Sequence, residues 1–387
     1  MKDSHKLRIP AIALLAAATS ACAATYPRFN AGISGIWAEI RDATEGLTVL
    51  DTESGTPAGG KFRTGDLITA VNGSPIRGTI GDYILGTDPR RVLGEAIGAA
   101  EATDGQLRFE VARGDDTSEV SIVLPVLGSY SDTWPLKCGK SDAIIEQTGA
   151  YLRRIQSEEG AFEFEDSPAG SGELIGRALA GLFLVSTGSA DNLAAARRYA
   201  HFLAGDIEAN GVTESSWPKG YLGIFLAEYY LATGDRAVLE TLRAICKAAE
   251  VSQFIGGWAH GETPSPGYSH GALMTSPSLP IVMALTLARE CGVAVDEACF
   301  VRAVRYFSRF PGNDGMAYGD QRGDTGVSNG KDAMAATVFS LLPGNAYRQM
   351  SELMALHSAD SYHGVQHGHG GCSFNVIWRG IGALHLP

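Results

Sequence analysis

A chain of 387 residues exceeds the roughly 250–300 at which one hydrophobic core stops growing, so two domains are expected. Apolar residues make up 45% and charged residues 19%, with no low-complexity tract, which fits a soluble globular protein. The formal net charge of −12 argues against nucleic acid or an anionic surface as a partner.

The N-terminus reads as a secretory signal over residues 1–24. Lys2, Lys6 and Arg8 precede the apolar run IPAIALLAAATSA, and Ala21, Cys22 and Ala23 follow as small residues. The run is too short to span a bilayer. Cleavage after A-C-A would release a soluble protein carrying 28 basic and 42 acidic side chains, about −14. The alternative is lipidation: T-S-A-C resembles a lipobox that would place a lipid on Cys22, with Thr19 where Leu is usual. The protein is therefore expected to be exported to the periplasm or cell envelope, with membrane contact only if Cys22 is lipidated. The remaining cysteines, Cys138, Cys246, Cys291, Cys299 and Cys372, are odd in number and scattered, which does not suggest a disulfide framework. Cys246, Cys291 and Cys299 sit in apolar helical patterns and are expected in the core.

Residues 29–128 alternate short β-rich runs with turns: WAEI, LTVLD, DLITAVNG, QLRFEVARG and EVSIVLPV, with one helical stretch, PRRVLGEAIGAAE. Period-two strands and one amphipathic helix predict a small half-open barrel. The segment SGTPAGGKFRTGDLITAVNGSPI, in which Gly65-Asp66 opens a strand and Asn72-Gly73 closes a hairpin, resembles the core signature of PDZ domains. That resemblance implies a peptide groove. Its carboxylate loop and accepting strand would fall on GISGIWAEI, at Gly35, Ile36, Trp37 and Ala38, and its side-chain pocket on Val92, Ala96 and Ile97. Gly-rich turns present successive N–H groups to a carboxylate, and a strand edge accepts an added strand. The alternative is a module that packs on its neighbour and binds no free peptide.

Residues 129–140 read as a linker. From 141 to 387 the apolar period becomes 3.6. Helices alternate in pairs around Gly turns at TGSAD, TGDRA, ECGVAVD and LPGNA, about 50 residues apart. A helical hairpin cannot bury its apolar face alone, so the repeats must stack. The connections between hairpins are rich in Gly and aromatics: ANGVTESSWPKG, IGGWAHGETPSPGYSHG, NDGMAYGDQRGDTGVSNGKD and SYHGVQHGHGGCSFN. This alternation resembles the α/α-toroids of terpenoid cyclases, prenyltransferase β-subunits and several glycan-active enzymes. The expected architecture is a multidomain chain, a small β-rich PDZ-like domain followed by an all-α toroid of about five hairpins. That order resembles bacterial envelope proteins that join a PDZ domain to a toroid, a likeness that implies a fold and no established activity.

If the ring closes, its long connections gather at one mouth. His260 and His270 fall in one connection, Tyr318 and Asp320 in the next, and His363, His367 and His369 in the last. Such a mouth could place an acid and a base on either side of a glycan, with Trp258, Tyr268 and Tyr318 as stacking surfaces, in a hydrolase or lyase. The candidate catalytic residues are His260, His270, His367, His369 and Asp320. A divalent metal at His367 and His369 is a second reading, although four neighbouring glycines argue against a helix that would align His363 with His367. A Cys372 nucleophile at a helix start is a third. The bland alternative is a non-catalytic envelope scaffold, in which the Gly-His and Gly-Trp pairs serve packing and both domains bind only other proteins.

Overall fold

The computed structural model describes residues 28–40, 46–78, 88–164, 170–261, 273–312, 315–319, 330–361 and 373–387. The segment expected as a secretory signal, with Cys22, lies outside the described residues. The chain divides into two compact units, Met1–Lys140 and Ser141–Pro387.

The first unit is one antiparallel sheet with one helix. Its strands are β1 (Arg28–Asn30), β2 (Ile36–Glu39), β3 (Leu47–Thr52), β4 (Leu67–Val71), β5 (Ser74–Pro75), β6 (Gln106–Arg113) and β7 (Asp116–Val123); helix α1 (Pro89–Ala102) precedes β6. The strand order is β1-β2-β3-β4-β6-β7, with β5 paired to β4. Strict alternation in QLRFEVAR buries Leu107, Phe109 and Val111 and turns the residues between them outward, as a sheet with one covered face requires. Helix α1 starts where Asp88 accepts from the Arg90 N–H and Pro89 takes the first helical position, where its missing donor costs nothing. The segment after β7 is tied to this helix. The N–H groups of Leu127 and Gly128 donate to the Glu101 carbonyl, and Lys140 Nζ pairs with Glu101 Oε2 at 2.7 Å, both residues being buried. Residues 129–140, expected as a linker, thus belong to the first unit.

The second unit is helical: α2 (Gly139–Arg154, entered from the first unit), α3 (Ser171–Thr187), α4 (Ala190–Asn210), α5 (Ser216–Thr233), α6 (Leu239–Ser252), α7 (Thr275–Glu290), α8 (Glu297–Phe307), α9 (Lys331–Ser340), α10 (Asn345–Asp360) and α11 (Ser373–Ala383). Helices α3, α5, α7, α9 and α11 pack successively to form an inner row, and α4, α6, α8 and α10 each lie on the inner helix before them. Burial explains the sorting. The inner α5, α7 and α9 are apolar around most of their circumference and almost wholly buried, whereas α6 and α8 bury one stripe. The inner row curls back on itself: Trp378 of α11 donates its indole N–H to the Tyr221 hydroxyl of α5 at 3.0 Å. This is the α/α-toroid arrangement expected from the hairpin repeat. Cys246, Cys291 and Cys299 are buried free thiols, and burial raises the thiols of Cys291 and Cys299 to about 11.

Two extended straps lead from an outer helix to the next inner helix, and the same device anchors both. After α2, Gln156 Nε2 donates to the Ala195 carbonyl of α4 at 2.9 Å while Arg198 donates to its Oε1. After α6, Gln253 Nε2 donates to the Cys299 carbonyl of α8 at 2.9 Å while Arg302 Nε donates to its Oε1 at 2.9 Å. In each case the arginine follows the carbonyl residue by one helical turn. Each strap then presses a glycine against the same arginine: a Cβ on Gly160 would stand 2.5 Å from the Arg198 oxygen, and one on Gly256 would stand 2.7 Å from the Arg302 oxygen. Two residues later each strap buries an aromatic ring, Phe162 or Trp258. This internal repeat fixes where the strap ends emerge.

Gly256→Ala forces a side chain into a backbone with φ of 111° and against a carbonyl, and should lower stability by about 2–4 kcal/mol. Gln253→Ala should cost about 1–2 kcal/mol, both read by chemical denaturation. On the turn between α5 and α6, His201 Nε2 at 2.8 Å and the Tyr229 hydroxyl at 2.9 Å hold Asp235. With the Ala237 N–H they lower its carboxyl from 3.8 to about 2. The folded carboxyl is the stronger acid, so its contribution is complete above pH 3.8 and fades as pH falls toward 2. Asp235→Asn should therefore be destabilising at pH 6, and the difference from wild type should shrink as pH falls from 3.8 through about 2 in denaturation series.

Candidate functional site

The first turn of a helix leaves backbone N–H groups without helical partners. In this toroid the straps supply them. The Ser216 N–H, opening α5, donates to the His260 carbonyl at 2.8 Å, and the Thr275 N–H, opening α7, donates to the Tyr318 carbonyl at 3.2 Å. The Thr275 hydroxyl adds a bond to the Ala317 carbonyl at 2.6 Å. His260 and Tyr318 therefore occupy equivalent places, each fastened over the start of an inner helix.

Trp217, the second residue of α5, stacks on His260 with ring centroids 5.7 Å apart at 28°. Its indole N–H donates to His260 Nδ1 at 2.6 Å. That bond assigns the tautomer: a neutral His260 with Nδ1 accepting carries its proton on Nε2 and is a hydrogen-bond donor there. Although the residue as a whole is exposed, contact with the indole strips water from the ring and holds its pKa below 6.5. Protonation would also break the Trp217 bond, since both partners would then be donors. Ser215 joins the group, its hydroxyl bonding Ser171 Oγ of α3 at 2.9 Å.

Behind these groups lie buried charges. Lys219 and Lys331, in the first turns of α5 and α9, are both at most 1% exposed. Lys219 Nζ donates to the Glu214 carbonyl at 3.3 Å, and Lys331 Nζ stands 5.8 Å from the Tyr318 ring centroid. A cation at a helix N-terminus opposes the macrodipole; Asp332, next to Lys331, supplies the compensating charge and accepts from the Met316 N–H at 2.7 Å. The Ser276 hydroxyl, in the first turn of α7, is buried and has no partner among the described residues. Buried hydroxyls are rarely left so.

Residues 141–385 match the family described as Domain of unknown function, DUF6288. The chain belongs to this family. No curated protein matches it. Among solved structures, a sugar epimerase from a ruminal bacterium is 13% identical with a TM-score of 0.42, covering 56% of this chain and 71% of its own. A polysaccharide lyase is 12% identical with a TM-score of 0.39, covering 70% of this chain and 41% of its own.

Within the DUF6288 domain, the residues expected at the mouth fare differently. His260 and Tyr318 lie at the N-terminal end of the inner helices, Tyr318 half-buried beside Lys331. Trp258 is corrected: it is fully buried, donates its indole N–H to the Ala249 carbonyl at 2.7 Å and packs as core, so it offers no stacking face. Tyr268, His270, Asp320, His363, His367, His369 and Cys372 lie outside the described residues. Among the described residues no group of three or more His, Cys, Asp or Glu converges on a metal position. Trp217 was missed although SSWPKG stood out as an aromatic connection, because its role depends on a residue 43 positions away. A groove of about 640 Å³ lies at the opposite ends of the inner helices, beside Arg289, Phe300 and Leu341, and holds none of these groups.

The expected peptide strand of the first unit is covered by the chain's own β1. Ile36 and Ala38 are core residues at 0% exposure, and β2 has no open edge: it pairs with β3 on one side and with β1 on the other. The loop amides are used internally as well. Gly35 N–H donates to the Gly32 carbonyl and Ile36 N–H to Ser34 Oγ. Trp37 points the other way from Ile36 and donates to Glu53 Oε1 at 2.9 Å. Val92, Ala96 and Ile97 are partly buried over the same core.

The His260 imidazole should titrate with a midpoint below 6.5, followed by its ring-proton NMR signal. Its stabilising contribution is complete above 6.5 and declines below, because the unfolded chain takes the proton first. Trp217→Ala uncovers the ring and should move the midpoint up toward 6.5.

Proposed function

We propose that the DUF6288 domain binds a carbohydrate chain at the N-terminal end of its inner helices. The observation that carries this reading is the Trp217–His260 pair: a half-buried aromatic face joined to an imidazole whose tautomer is fixed as an Nε2 donor, with a second aromatic, Tyr318, in the equivalent position of the next strap. Aromatic faces with fixed polar tips suit sugar rings, which present C–H faces and hydroxyl edges.

Chemistry on that chain, by hydrolysis or elimination, needs a proton donor and a base. Neutral His260 is better suited to orient and polarise a sugar oxygen than to remove a proton, because its basic nitrogen is already engaged by Trp217. The base is assigned to a carboxylate, for which Asp320 in the next connection along the chain is the sequence's candidate. The protein works outside the cytoplasm, the place that a signal at residues 1–24 would give it, and its sheet unit takes an extended peptide in the manner of PDZ domains.

Full-length protein should retain soluble acidic or neutral glycans in affinity electrophoresis. Trp217→Ala and His260→Ala should each weaken retention about tenfold, equivalent to ~1.4 kcal/mol, with cooperative unfolding retained. Asp320→Asn should keep binding and lose any release of new reducing ends or unsaturated products. Wild-type retention by both mouth variants would sink the assignment.

A further inference from the structure

Strand β1 runs antiparallel to β2 with Arg28 opposite Glu39, Phe29 opposite Ala38 and Asn30 opposite Trp37. Its C-terminal end leads into the Gly32–Ser34 turn, the place where a bound peptide's carboxylate would end. The first unit is therefore already arranged as though a ligand were present. We infer that β1 is a built-in ligand: residues 28–30 occupy the strand position on β2, and an external peptide gains that edge only by displacing them. The inference rests on the peptide-binding reading of this unit.

The pairing shows how the segment is held. Ala31 N–H donates to the Ile36 carbonyl at 2.8 Å. Hydrogen-bonded pairs alternate along an antiparallel ladder, so Phe29 and Ala38 form the next such pair and their side chains share one face. Ala38 is fully buried, and Phe29 packs partly buried on the same core, together with the pocket candidates Val92, Ala96 and Ile97. Phe29 thus supplies the anchor that a ligand side chain would bring. A polar bracket holds the strand's end: Asn30 Nδ2 and Trp37 Nε1 both donate to Glu53 Oε1, at 2.8 and 2.9 Å. Three residues make a short ladder that can be displaced, yet the tether favours it. A short tether gives an effective concentration on the order of millimolar, so an equivalent free peptide at ~10 μM would hold roughly a hundredth of the edge.

The test uses the full chain and a fluorescein-labelled peptide of its own sequence, Tyr-Pro-Arg-Phe-Asn with a free carboxylate. Hydrogen exchange at Ala38 reports the edge. In Phe29→Asp, Ala38 exchange should accelerate at least tenfold while β4 and β6 stay protected, and added peptide should restore protection and bind at least thirtyfold more tightly than to wild type. Phe29→Ala with Glu53→Gln gives a milder opening if the aspartate disturbs the sheet. Unchanged Ala38 protection in both variants, or equal peptide binding by wild type, overturns the built-in ligand and leaves the peptide reading standing. An opened edge that the peptide fails to re-protect overturns the peptide reading itself, and the inference with it.

Discussion

The inner helices of this toroid begin in a low-dielectric interior, where an N–H without a partner costs a kilocalorie or more. Everything at the mouth follows from how those donors are satisfied. No capping side-chain bond is made at the start of α5 or α7; backbone carbonyls of the incoming straps take that role, His260 for α5 and Tyr318 for α7. A strap can do this only if its own path is fixed, and the Gln–Arg clamps with their close-packed glycines fix two of them. His260 is thus positioned by Gln253, which follows α6, and Arg302 of α8.

The same geometry concentrates polar groups where the helix dipoles point their positive ends. Lysines buried there would be costly without compensation, and Asp332, carbonyl oxygens and the Tyr318 ring provide part of it. The unpartnered Ser276 hydroxyl belongs to this layer as well. The first unit follows the opposite policy. The Gly35 and Ile36 amides, the β2 edge and the Trp37 indole N–H are satisfied from within the chain, by Gly32, Ser34, β1 and Glu53. One unit holds fixed donors and aromatic faces over its helix ends; the other keeps its β2 edge covered by β1.

Periodicity made most of the architecture legible. Alternation in QLRFEVAR, the Asp-Pro start of α1 and the Gly turns between hairpins each encode a local backbone choice, so the elements and their order could be read before any contact was known. Trp258 shows where this stops. IGGWAHGE reads as an exposed aromatic loop, yet Gly256 and Gly257 bring the backbone so close to α8 that the indole beside them is driven into the core and the histidine two residues later is left outside. Which of two neighbouring rings faces solvent depends on that close approach, and composition does not record it.

Strand β1 marks the same limit in the first unit. PRFN carries no strong strand signal, and its pairing is bought by Phe29 finding an apolar core and Asn30 finding Glu53, 23 residues away. The sequence by itself determined the two units and the hairpin repeat, because these rest on local propensity and on the period of apolar residues. Tertiary structure alone decided that Trp217 meets His260, that Gln253 and Arg302 fix the strap, and that β2 is covered, because each depends on groups far apart in the chain being brought within hydrogen-bonding distance by the packing of everything between them.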